Sequence, residues 1–215
     1  MARETVEVWD LPLRLFKWGL VASVFGAFAA MNAGDMELHK RCGYVALTLV
    51  VFRVIWGFVG SQTARFRDFV RAPAEIRAYL KEGRSPTLGH SPLGGLAVLA
   101  LLGLVAAQAI TGLFSNDDIF FDGPWAGWAG KATSDAITGL HHSLSGVLIA
   151  MIVLHIIAIT VYAAKGDDLV SPMLTGAKRV EAPAARPTMV ETARALVPLV
   201  LAAFAVGIAF RFWIL

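Results

Sequence analysis

Two histidines, His141 and His155, stand fourteen residues apart within one long apolar run. At about 3.6 residues per turn, that interval returns to nearly the same helix face, about 21 Å further along the axis. A single helix crossing a bilayer therefore offers one imidazole toward each side. Imidazole binds iron through a ring nitrogen, so the spacing suits two haems stacked across a membrane, each taking its second axial ligand from another helix. His142, thirteen residues from His155, points to roughly the opposite side, and the pair of interest is His141 with His155.

The elements that must carry these side chains are apolar helices. Hydrophobic residues make up 57% of the 215 and charged residues only 16%, which places the chain among integral membrane proteins. Five segments predict spans, at 15–31, 42–59, 93–114, 142–164 and 195–215. The second contains Arg53. The runs lack strand alternation, so the expected fold is all-α, an integral membrane four-helix haem-binding bundle plus a fifth C-terminal transmembrane helix. Expected boundaries are a haem-binding domain over 1–179, a proline-stiffened linker over 180–189 and an additional helix over 190–215.

The leader holds Glu4, Glu7 and Asp10 beside its basic residues. This is unlike the cationic start of a signal peptide, and an uncleaved first helix is expected. Residues 1–14 read as a polar lead, with Trp9 and Trp18 in an interfacial aromatic belt. Segment 61–92 reads as an amphipathic stretch on the membrane surface, with Pro73 starting a helix. Residues 115–139 read as an ordered loop rich in Gly, Asp and Trp. Cys42 is the single cysteine, so there is neither a disulfide nor a C-x-x-C-H site for covalent haem, and any haem is b-type.

Lys and Arg set the orientation. The loop after the second span carries Arg65, Arg67, Arg71, Arg77, Lys81 and Arg84, and that after the fourth carries Lys165, Lys178, Arg179, Arg186 and Arg194. The loop after the third carries Lys131 against Asp117, Asp118, Asp122 and Asp135. The N-terminus is thus expected in the cytoplasm and the five-span C-terminus on the far side. The net charge of +3 suits membrane lipid and gives no nucleic-acid signal. With this topology His39, at the start of the second span, shares a level with His141. His155 lies toward the cytoplasm, where the first helix offers Lys17.

Several short pieces together resemble the bacterial cytochrome b561 family, in the branch that includes the b-type cytochrome subunits of nickel-iron hydrogenases. They are Val8-Trp9-Asp10-Leu11-Pro12 with Arg14-Leu15-Phe16-Lys17-Trp18, Leu38-His39 with Gly43-Tyr44, and Phe52-Arg53-Val54-Ile55-Trp56-Gly57-Phe58. Gly89-His90-Ser91-Pro92-Leu93-Gly94-Gly95, Leu140-His141 and Leu154-His155 follow in the same order. The resemblance implies four core helices, two haems b, and electron transfer between quinone and a partner at the inner membrane. It implies a histidine where this chain has Lys17. His155 can then be paired by Lys17, by His90, or left on an open five-coordinate iron, and absence of this haem is a fourth reading. An amine ligates only when deprotonated, against an ordinary lysine pKa of about 10.4.

His39, His141, His155 and Lys17 are accordingly the candidate iron ligands. Arg53 is an intramembrane cation suited to a haem propionate, and His90 can reach a propionate or a quinone carbonyl. Lys40, Arg41 and His142 can serve the outer propionates or simply face solvent. Gly43, Gly112 and Gly146 can admit porphyrin or serve helix packing. The leading function is a membrane-bound b-type cytochrome relaying electrons between the quinone pool and a periplasmic redox protein, a c-type cytochrome or a hydrogenase. That makes it an electron-transfer subunit rather than a stand-alone enzyme. Two other readings are a superoxide-oxidising quinone reductase, drawing its anionic substrate with Lys40, Arg41 and Lys131, and a membrane anchor with one haem or none.

Overall fold

A computed structural model describes residues 3–82, 88–181 and 186–211. Its elements in order are β1 (Arg3–Glu7), α1 (Leu11–Ala33), α2 (Met36–Val59), α3 (Phe66–Phe69), α4 (Pro73–Glu82) and α5 (Pro92–Gly112), then α6 (Ala126–Ala129), α7 (Lys131–Ala164), α8 (Ser171–Thr175), β2 (Ala177–Glu181) and α9 (Leu196–Arg211). Among the described residues α1, α2, α5 and α7 are long and apolar enough to cross a membrane. The protein is a multi-pass membrane protein with these four candidate spans. Their outward faces expose Phe25, Phe58, Leu96, Leu154, Ile156 and Ile157. So much uncovered apolar surface requires lipid around it.

For the C-terminal helix the described residues do not establish the expected fifth span. Its apolar stretch is 17 residues, Thr192–Ile208, and 212–215 lie outside the described residues. Residues 131–139, expected in a loop, form the first turns of α7, which runs for 34 residues. The polar lead holds a strand that the all-α expectation lacked: β1 pairs antiparallel with β2, Thr5 opposite Arg179. The expected boundary between 179 and 180 thus falls inside β2, and part of the expected linker, 182–185, lies outside the described residues. Thr188 and Val190 are fastened to Gln62 and Ser61, the Thr188 amide donating to Gln62 Oε1 at 3.0 Å and the Val190 amide to Ser61 Oγ at 3.0 Å.

Contacts group the chain into two compact units, one of residues 1–16, 53–100 and 154–198, the other of 17–52, 101–153 and 199–215. In the second unit, Ala46, Val50, Val105 and Leu148 form a buried cluster joined by Leu20, Val24 and Phe28 of α1. A second cluster there brings Val206 of α9 onto Leu47 and Leu113. The α1–α2 turn belongs to this unit and is two residues long. Gly34 ends α1 at φ +74°, a conformation glycine adopts without penalty. Asp35 caps α2, its carboxylate accepting the Leu38 amide at 2.9 Å, the usual use of aspartate before a helix. So short a turn holds α2 antiparallel beside α1, and sets His39 in the first turn of α2.

In the first unit α1 starts at Asp10, whose Oδ1 accepts the Leu13 amide at 2.7 Å while Oδ2 accepts the Trp56 indole N–H at 3.0 Å. The amphipathic helix α4 does begin at Pro73, and a phenol–phenol hydrogen bond of 2.6 Å links its Tyr79 to Tyr162 of α7.

Candidate functional site

The imidazoles of His39 and His141 stand together in the second unit, ring centroids 6.2 Å apart and planes crossing at 82°. Each is half-buried, whereas His142 is exposed. His39 Nδ1 lies 2.9 Å from the carbonyl oxygen of Ala27 on α1, and His141 Nδ1 lies 3.0 Å from that of Gln108 on α5. A carbonyl oxygen can only accept, so both rings carry their proton on Nδ1. Both Nε2 atoms therefore keep a lone pair, the state in which imidazole binds a metal, and a carbonyl behind Nδ1–H is the usual support of such a ligand.

Gln108 and Thr111, absent from the sequence-based site, complete this cluster. Gln108 Nε2–H₂ donates toward His141 Nε2 at 3.1 Å, and Thr111 Oγ1 lies 3.1 Å from His141 Nδ1. The amide thus approaches the lone pair a metal would take, and Gln108 Oε1 is buried without a hydrogen-bond partner among the described residues. One signal was available: Gln108 is the strongly polar side chain inside the otherwise apolar run 93–110. Gly112 is where α5 passes His141, since a Cβ there would stand 3.2 Å from Cε1 of that ring.

The arrangement fits a haem iron. Two imidazoles on one metal at about 2.0 Å each hold their centroids about 6 Å apart, and this pair stands at 6.2 Å.

The other unit gathers the remaining motif residues. Arg53 is 1% exposed, its guanidinium 4.8 Å from the centroid of Phe66 and 5.7 Å from that of Phe69. Gly57, one turn on, leaves the space Phe66 occupies; a Cβ there would collide with the ring at 2.1 Å. Arg53 Nη1 and Nη2 are buried with no hydrogen-bond partner among the described residues. A buried cation with two idle donors calls for an anion, and a propionate has that chemistry. His90 makes ring contacts with Trp9 at 4.6 Å and Phe69 at 4.8 Å. Trp9 is therefore buried rather than in the expected interfacial belt, whereas Trp18 is exposed. Trp9, Asp10, Arg53, Trp56 and His90, scattered over eighty residues of sequence, thus form one connected group in this unit.

His155, half-buried on α7, belongs to the same unit as Arg53 and His90, while Lys17 is half-buried in the other. Lys40 and Arg41 are each paired to Glu37, at 2.5 and 2.9 Å.

A family model for prokaryotic cytochrome b561 matches residues 8–176, the stretch holding every residue of both clusters. The chain belongs to the prokaryotic cytochrome b561 family. Curated proteins and solved structures gave no match to it. Membership makes it a membrane cytochrome b, with haem-mediated electron transfer as its chemistry.

Proposed function

We propose that this cytochrome b561 relays electrons between the quinone pool and a soluble periplasmic redox protein, through haems b held at two levels of the bilayer. The observation that carries the reading is the pair His39 and His141, 6.2 Å apart with Nδ1–H of each turned to a helix carbonyl. Bound there, haem supplies one-electron chemistry at its iron. His39 and His141 would hold the iron through Nε2, each with its tautomer fixed by the carbonyl behind Nδ1, beside the apolar clusters of the same unit. His155 would hold a second haem, with Arg53 and His90 of the same unit as the groups that would meet its propionates; Lys17 stands as a further candidate iron ligand. The N-terminus lies in the cytoplasm, the protein sits in the bacterial inner membrane, and the C-terminal helix is an added span whose role is to dock a partner.

The superoxide reading needs free cations at the outer haem. Each cation it relies on is paired: Lys40 and Arg41 with Glu37, and Lys131 with Asp118 and Asp135. Their field is largely cancelled, which favours the relay over an enzyme that draws in an anion.

The test is haem content and spectrum of the purified protein. His39→Ala and His141→Ala should each remove a low-spin b-type signal, and His142→Ala should leave it. A damaging His142→Ala beside a silent His141→Ala would refute the assignment.

A further inference from the structure

The loop between α5 and α7 carries an apolar tip that the proposed haem ligands do not use. Phe120 is 97% exposed, Trp128 86% and Ile119 74%. A side chain so fully offered to water is costly unless something covers it in use. The tip is nonetheless built. The Asp117 carboxylate accepts the amides of Ile119, Phe120 and Phe121 at 2.9, 2.9 and 2.7 Å, and Asn116 forms an antiparallel bridge with Asp122. Asp118 adopts φ +65°, the left-handed region aspartate tolerates better than most residues, and its carboxylate pairs with Lys131 at 2.5 Å.

The loop is fastened to the end of α5 that passes His141. The Gly123 amide donates to the Ser115 carbonyl at 2.7 Å, and the Trp125 amide to that of Leu113 at 2.8 Å. Trp125 packs on Phe114 at 5.2 Å. Gly123 lies so close to the end of α5 that a Cβ would stand 2.5 Å from the Leu113 carbonyl oxygen and 2.8 Å from that of Gly112. Gly112 is also the residue that faces the His141 ring. Gly112 is therefore near both the loop and the proposed ligand.

The surroundings of the tip are acidic. Asp117, Asp118, Asp122 and Asp135 stand against Lys131 alone within residues 115–139. A cavity of about 420 Å³ beside the tip is lined by Asp118, Phe120, Asp122 and Lys131, among others. It has the size and charge to admit a basic side chain.

We infer that this loop is the docking surface for a soluble electron-carrier protein whose contact face is apolar at its centre and ringed by lysine or arginine. Charge complementarity selects that occupant: the carboxylates steer a cationic face inward, and Ile119, Phe120 and Trp128 supply the buried centre once it arrives. An anionic lipid surface is repelled by the same carboxylates. The inference rests on the relay reading for the redox character of the partner, and on the loop itself for the charge and shape.

The test uses the full chain in lipid nanodiscs, with a strongly basic c-type cytochrome as probe and an acidic c-type cytochrome as control. Binding of the basic probe should weaken as salt rises, and the acidic control should bind at least about tenfold less tightly. Phe120→Ser should raise the dissociation rate about tenfold or more, as loss of a buried aromatic anchor does. Asp122→Lys should instead slow association, with dissociation little changed. Equal binding of both probes, or wild-type binding kinetics in both variants, overturns the proposal. So does a blue shift of tip tryptophan fluorescence on adding lipid vesicles that Phe120→Ser abolishes, because the tip is then a membrane anchor. Absence of haem absorption in the pure protein would defeat the relay reading by itself, without any binding measurement, so the two failures are separately visible.

Discussion

Arg53 separates the demands of the haem-free chain from those of the loaded one. It is 1% exposed, and its two terminal nitrogens have no hydrogen-bond partner among the described residues. Its present stabilisation comes from the faces of Phe66 and Phe69, at 4.8 and 5.7 Å, about 1–2 kcal/mol in a desolvated setting, and from the field of the Asp10 carboxylate in the same unit. Burying a guanidinium whose donors make no hydrogen bond still costs several kcal/mol. Replacement by methionine, similar in reach and uncharged, should therefore leave the haem-free protein as stable or stabilise it by about 1–2 kcal/mol. The loaded protein should respond in the opposite sense. Two charge-assisted hydrogen bonds to a propionate are each worth about 1.5–3 kcal/mol, so Arg53→Met should weaken haem binding by about 3 kcal/mol, a hundredfold or more.

The assay is a pair of measurements on one variant in the same detergent: thermal unfolding of the haem-free chain, and the rate of haem transfer to an excess of a haem-scavenging protein. Faster haem loss at one centre, with unchanged or raised apo stability, is the expected result, and Arg53→Lys should fall between wild type and Arg53→Met. If Arg53→Met destabilises the haem-free chain and leaves haem transfer at the wild-type rate, the guanidinium is a packing element on the two phenylalanine rings and the anchoring argument fails.

Gln108→Leu should leave the low-spin signal intact and tighten haem binding by up to about fivefold, because it removes a hydrogen bond of about 1 kcal/mol that competes for His141 Nε2; a haem titration of the apo protein reads this directly, and loss of the signal would mean that Gln108 supports the ligand instead. On the proposed reading, Lys17→His should give a second haem that is low-spin, bis-histidine and closed to carbon monoxide. Unchanged haem content, spin state and potential in that variant would remove position 17 from the iron.

Much of this molecule is written locally. Hydropathy and length are properties of a run of residues, so the four apolar helices could be read directly, as could the start of α4 at Pro73. The placement of His141 and His155 on one helix follows from the helical period alone. The motif residues by themselves pointed to the family that the match over residues 8–176 establishes. Where the two differ, the cause is an interaction between distant parts of the chain. The polar lead forms a strand because β2, near the other end of the sequence, pairs with it; a strand whose partner is so remote leaves little pattern of its own. Trp9 looked interfacial by type and position, yet it is buried because Thr63, Gly89 and His90 close around it. Gln108 and Thr111 escaped notice because a side chain's neighbours on another helix depend on how the helix surfaces interlock, and no local period carries that information. The sequence by itself determined the four long apolar helices, the residue types proposed to bind haem and the spacing of two of them along α7. Only the tertiary structure decided which carbonyls fix the tautomers of His39 and His141, and that Arg53 would be buried with its donors unused. Helix formation is settled within a few turns of backbone, whereas a binding site is settled by which turns of different helices come to lie side by side.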